Sequence, residues 1–106
     1  MKTTAEYLDE VKTKLHLPSD YALAKYWHVS KQDISQYRSG KRTLGEERAI
    51  EVARIIGIDP AFTLISSYAE RAKSDEAKIV WANLLEKISE GFKLLMLLSG
   101  PRQIMI

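Results

Sequence analysis

Four side chains stand out in this 106-residue chain for the chemistry their types and spacing allow: Lys31, Gln32, Ser35 and Gln36. Gln32 and Gln36 are four residues apart, so on a helix they share a face. A glutamine amide presents a donor and an acceptor together and pairs bidentately with adenine N6 and N7, while a lysine ammonium donates to guanine N7 and O6. The four together make a surface suited to reading the edges of base pairs. Close behind them come Arg38, Lys41, Arg42 and Thr43. Cations and a hydroxyl at such a place suit backbone phosphate, contacts that position a protein without reading sequence. The competing reading is a solvated polar face that touches nothing.

Such a surface needs a short helix held rigidly from behind, and residues 20–43, DYALAKYWHVSKQDISQYRSGKRT, supply the parts. Ser19 is placed to cap a helix over about 20–27, to which Tyr21, Leu23, Ala24 and Trp27 bring apolar contacts. His28 and Val29 form a turn. Ser30 caps the next helix, with Asp33 three residues on in the capping-box position. Ile34 and Tyr37 face the core at i, i+3 spacing, which leaves Lys31, Gln32, Ser35, Gln36 and Arg38 outward. Gly40 ends the helix in the left-handed conformation that glycine adopts at little cost. Two short helices, a tight turn and a polar second helix form a helix-turn-helix pattern.

Residues 19–57 resemble the helix-turn-helix of the phage-repressor superfamily, the Cro and lambda-repressor group. The matching residues are Leu23-Ala24, Val29-Ser30, Ile34-Ser35, Tyr37 and Gly40-Lys41-Arg42, followed by a helix over Ala49–Gly57 and the Asp59-Pro60 restart. The resemblance implies a five-helix core over about 1–72. It also implies that Lys31, Gln32, Ser35 and Gln36 occupy the groove-facing positions, with Asp20 and Tyr21 near the nucleic-acid backbone. The chain departs from the pattern at two places. The turn position usually held by glycine is His28, and the aliphatic position before it is Trp27. Asp20 and Asp33 are also poor neighbours for phosphate. The whole chain is further similar to small helix-turn-helix proteins carried by prophages, including filamentous ones.

The remaining elements follow from periodicity and punctuation. Thr3 and Glu6 have capping-box spacing, and Ala5, Leu8, Val11 and Leu15 fall on one stripe of a first helix stopped by Pro18. A fourth helix is expected over about 44–56, with Leu44, Ile50, Val52, Ala53 and Ile56 apolar and Gly57 closing it. A fifth starts at Asp59-Pro60 and carries Phe62, Leu64, Ile65, Tyr68 and Ala69. Ser74 caps a sixth, in which Ala77, Trp81, Leu84, Leu85, Ile88, Phe92 and Leu95 recur at helical spacing. Gly91 interrupts it. One reading continues the helix to about Leu98; the other places short strands at 92–98 and 103–106. The expected organisation is all-α: a five-helix domain over 1–72, then a C-terminal helix and tail over 73–106.

Composition bounds what the chain does. The apolar fraction is 45%, enough for a packed core. With no cysteine, disulfides, thiolate metal sites and cysteine nucleophiles are excluded together, and a reducing cytoplasm is the expected setting. Two histidines twelve residues apart make a poor metal site. The adjacent pairs Glu46-Glu47 and Asp75-Glu76 lie at helix starts, where the helix dipole accounts for them. With no nucleophile–base pair and no phosphate-cradling glycine loop, neither an enzyme nor a cofactor is expected. The N-terminal residues lack the apolar core of a signal peptide, and the longest apolar run, Leu94–Leu98, is far short of a membrane span.

Net charge is only +2, but its distribution is uneven. From Lys25 to Arg42 there are five cations and one anion, whereas residues 43–72 hold three cations and five carboxylates. A local basic stripe suits a protein that meets phosphate with one face. Residues 74–98 hold more apolar side chains than one buried face needs, with Ile79, Val80, Leu94, Met96, Leu97 and Leu98 in excess. That excess predicts a homodimer through the sixth helix and the Ile104-Met105-Ile106 tail. The sequence therefore predicts a sequence-specific double-stranded-DNA-binding protein acting as a dimeric transcriptional repressor or regulator. The runner-up is a protein-interaction module, an adaptor or antirepressor, built on the same scaffold.

Overall fold

The computed structural model describes residues 2–99, all of whose regular structure is helical. Six helices follow in order: α1 (Thr4–Lys14), α2 (Asp20–Trp27), α3 (Lys31–Ser39), α4 (Glu46–Ile56), α5 (Pro60–Arg71) and α6 (Asp75–Ser99). Their starts are chemically defined. Thr3 with Glu6 and Ser30 with Asp33 form complete capping boxes, and Ser19 and Asp59 each accept an amide of the first turn. Each such cap satisfies an amide the helix itself leaves unpaired, worth about 1 kcal/mol.

Helices α1–α4 close around one core. Leu8, Val11, Leu23, Ile34, Leu44, Ala49 and Val52 are fully buried, with Tyr7, Ala24, Trp27 and Tyr37 beside them. The left-handed turns fix how the elements meet. His28 at φ 56° and Gly40 at φ 81° end α2 and α3, and Gly57 at φ 78° ends α4. A histidine in this region costs roughly 1 kcal/mol that glycine avoids, and buried Trp27 before it and half-buried Val29 after it, both packed in the core, hold the turn in place.

Several expected contacts are redistributed. On α1 the buried face is Thr4, Tyr7, Leu8 and Val11, while Ala5 and Leu15 are only partly covered. Tyr21 on α2 is 53% exposed. Helix α4 begins at Glu46 rather than 44; Leu44 is buried, but from the loop before the helix.

Helix α5 differs most. Its fully buried residues are Thr63, Ser66, Ser67 and Ala69, not the larger apolar set. Small hydroxyls let α5 approach closely, and each is bonded: Thr63 donates to the Ala49 carbonyl at 2.7 Å, Ser67 to the Leu44 carbonyl at 2.7 Å, and Ser66 shares a bond with Tyr7 at 3.3 Å. Glu70 adds a tie to α1, accepting from the Thr4 amide and hydroxyl at 2.9 and 2.7 Å. These bonds cancel the cost of burying polar groups.

Leu64 of α5 packs against the core, while Phe62 and Tyr68 turn to α6. Tyr68 stacks on Trp81 and Phe62 meets Phe92, both with ring centroids 5.6 Å apart. Those pairs run in opposite sequence order, so α5 and α6 are antiparallel. Helix α6 continues through Gly91 to Ser99, which excludes strands at 92–98; residues 103–106 lie outside the described residues. At 25 residues α6 is about 37 Å long and α5 about 18 Å. Its C-terminal part therefore runs past the α5 start that Phe62 marks, consistent with a radius of gyration of 15.3 Å against about 13 Å for a compact chain of this length. No helix among the described residues is long and apolar enough to cross a membrane.

Candidate nucleic-acid interface

Helix α3 is presented outward because Ile34 and Tyr37 anchor it from behind, at 2% and 8% exposure. Ser30 Oγ accepts the Asp33 amide at 3.1 Å and Asp33 accepts the Ser30 amide at 3.0 Å, which fixes the first turn of the helix. At the other end Gly40 reverses the chain, and the Arg42 amide returns to the Gln36 carbonyl at 3.2 Å. Both ends are thus rigid, as a helix that enters a groove requires.

Of the base-reading candidates, Lys31, Gln32 and Ser35 are exposed and Gln36 is partly covered. All four lie on the outer side of α3. The phosphate candidates do not share one environment. Lys41 is exposed and makes no ion pair among the described residues, and Thr43 is half-buried. Arg42 is exposed but pairs with Asp33 at 3.0 Å. Arg38 is turned inward to knit three helices together. Its Nε and Nη2 donate to the two Asp20 oxygens at 3.0 and 2.7 Å, Nη2 also lies 2.8 Å from Asp9, and Nη1 donates to the Ala5 carbonyl at 3.1 Å. Four of its five N–H groups are thus taken, which makes Arg38 a brace between helices rather than a free phosphate ligand.

The same contacts answer the charge conflict at the surface. The Arg38 guanidinium, helped by Lys12 at 2.9 Å, holds the Asp20 carboxyl down at about 2. The pairing also pushes the Arg38 pKa up, through Asp20 first and Asp9 second. Asp33 is lowered chiefly by the Ser30 amide it accepts, then by the Ser30 hydroxyl, with Arg42 adding to the effect. Both acids on this face are therefore offset, each by a local cation.

Tyr21, which the resemblance sets near the nucleic-acid backbone, and Lys25 join the site. Tyr21 stands exposed between two ammonium groups, Lys25 at 4.9 Å and Lys31 at 5.8 Å from its ring centroid. Asp20, Tyr21, Lys31, Ile34, Ser35 and Arg38 line a cleft of about 270 Å³ between α2 and α3. Tyr21 and Lys25 are four apart on α2, so the i, i+4 rule carries the signal in the sequence.

The chain matches no family model, no curated protein and no solved structure. No group of three or more His, Cys, Asp or Glu among the described residues is placed to hold a metal ion.

Proposed function

We propose that the protein binds double-stranded DNA in a sequence-specific way, as a dimeric transcriptional repressor or regulator, with α1–α5 forming a lambda-repressor-like helix-turn-helix domain. One observation carries the reading. A nine-residue helix capped at both ends buries Ile34 and Tyr37 and points Lys31, Gln32 and Ser35 into solvent. B-DNA's major groove, about 12 Å wide, admits such a helix. Gln32 and Gln36 then address adenine edges, Lys31 a guanine edge, and Ser35 either. Lys41, Lys25 and the Gly40–Thr43 turn meet phosphate, with Arg42 joining if it exchanges Asp33 for phosphate. Arg38 serves as the strut that orients α3 on α1 and α2.

Two copies on one duplex place their α3 helices in successive major grooves about 34 Å apart on a near-palindromic site. Few free cations per copy make a second copy necessary for useful affinity.

The alternative is a protein-interaction module on the same scaffold, and the pairing of Arg38 with Asp20 and Asp9 and of Arg42 with Asp33 favours it. A gel shift with random duplex at low salt separates the two. DNA binding predicts a shift at micromolar protein that sharpens on a selected site. No shift at that concentration favours the interaction module.

A further inference from the structure

Helix α6 carries two apolar faces, and α5 covers one. Trp81 stacks on Tyr68 of α5 and Phe92 meets Phe62 at a tilt, with Ala77, Leu85 and Ile88 half-buried on the same side. Roughly a quarter-turn away runs a second row: Val80, Leu84, Lys87, Gly91, Leu94 and Leu98. Its spacing is 4, 3, 4, 3, 4, the seam of a helix that pairs with another helix. Val80, Leu84, Leu94 and Leu98 are 61%, 41%, 57% and 75% exposed, so nothing among the described residues covers this row.

We propose that this row pairs with the same row of a second copy, the two α6 helices running antiparallel, with Val80 of one opposite Leu98 of the other. Three features point to a second copy. The first is Gly91. Glycine inside a helix costs about 1 kcal/mol relative to alanine. Its backbone is ordinary helix, and a Cβ there would meet nothing within 4 Å, so no contact among the described residues uses the missing side chain. On the seam it gives an approaching helix room.

The second is the fit across a two-fold axis. Antiparallel pairing centred near residue 89 sets Val80 against Leu98, Leu84 against Leu94 and Lys87 against Gly91. The long Lys87 stem then lies over the partner glycine, with its ammonium reaching the rim. Such a patch is complementary to itself, as a closed two-fold dimer requires.

The third is charge. Lys87 and Glu90 make no ion pair among the described residues. In the antiparallel register Lys87 of each copy lies beside Glu90 of the other, twice by symmetry. A parallel pair would instead stack Lys87 on Lys87 in the seam. An anionic membrane surface is disfavoured by Glu86 and Glu90 on the flank of the row.

This inference stands apart from DNA binding and is tested without DNA. Sedimentation equilibrium of the full chain is expected to show a monomer–dimer equilibrium. Lys87→Glu should weaken the dimer about tenfold, and the swap Lys87→Glu with Glu90→Lys should restore it to within about twofold. Far-UV circular dichroism checks that each variant folds. Because the chain has no cysteine, Asn83→Cys takes a single spin label. Antiparallel helices put the two labels about 20 Å apart, parallel helices about 10 Å. A monomer at every concentration, equal weakening by the single and swapped variants, or labels near the shorter distance would overturn the proposal. So would a monomeric chain that cosediments with anionic phosphatidylserine vesicles.

Discussion

Arg38 and Asp20 meet in a two-point ion pair, Nε to Oδ2 at 3.0 Å and Nη2 to Oδ1 at 2.7 Å. The pair joins the last turn of α3 to the first residue of α2, and Asp9 and the Ala5 carbonyl extend it to α1. One side chain thus sets how the outward helix is aimed. Arg38→Ala should destabilise the fold by about 1–3 kcal/mol, because Asp9 and Asp20 lose their main shared partner. Lysine cannot reproduce the fork, so Arg38→Lys should recover only part of the loss. Urea denaturation midpoints measure both.

The same pair dictates an acid limb. The Asp20 carboxyl lies at about 2 in the fold against 3.8 when free. A carboxylate with a lowered folded pKa contributes stability that is complete above the free value and disappears as pH falls through the folded one. The loss should fall between about pH 4 and pH 2. Asp20 is 41% exposed, so solvent screening reduces the full linkage value to about 1 kcal/mol. Stability against pH for the parent and Asp20→Asn checks this: the variant should lack that part of the limb.

His28 offers an independent check on the turn. At φ 56° it occupies the conformation that favours glycine. His28→Gly should stabilise the protein by about 0.5–1 kcal/mol, the relief of strain exceeding the added freedom of the unfolded chain. A rise in melting temperature with unchanged helicity is the expected result.

Salt dependence distinguishes free cations from tied ones. With Lys25 and Lys41 free to meet phosphate, Lys31 on a base edge and Arg38 and Arg42 offset, each copy should release about two counterions, a slope near −1.8 in log K against log salt. Five phosphate contacts per copy would give a slope near −4.5. Lys41→Ala should weaken all duplexes alike and reduce the slope by about one unit. Arg38→Lys should leave the slope unchanged.

Local chemistry made much of the architecture legible in the sequence. Thr3 with Glu6, Ser19, Ser30 with Asp33 and Asp59-Pro60 marked four helix starts, and Gly40 and Gly57 marked two ends, because caps act within a few residues. The face that α5 buries was not legible. Nothing local marks Thr63, Ser66 and Ser67 as buried; their partners, the Ala49 carbonyl, the Tyr7 hydroxyl and the Leu44 carbonyl, come within bonding range only on folding. Arg38 escaped for the same reason: its position on a basic stripe suggested phosphate, and only folding brings Asp9 and Asp20 to it. Outward placement of Lys31, Gln32 and Ser35 followed directly from helical period.

The central claim is that the outer face of α3 reads base pairs. Selecting bound duplexes from a random pool, with the parent chain and with Gln32→Ala side by side, tests it most directly. The account predicts a near-palindromic site with half-sites one helical turn apart. It also predicts that Gln32→Ala relaxes preference at one position in each half-site, costing about 1–3 kcal/mol on the parent site and little on random DNA. Recovery of no preferred sequence, or equal losses on selected and random duplexes, would contradict it.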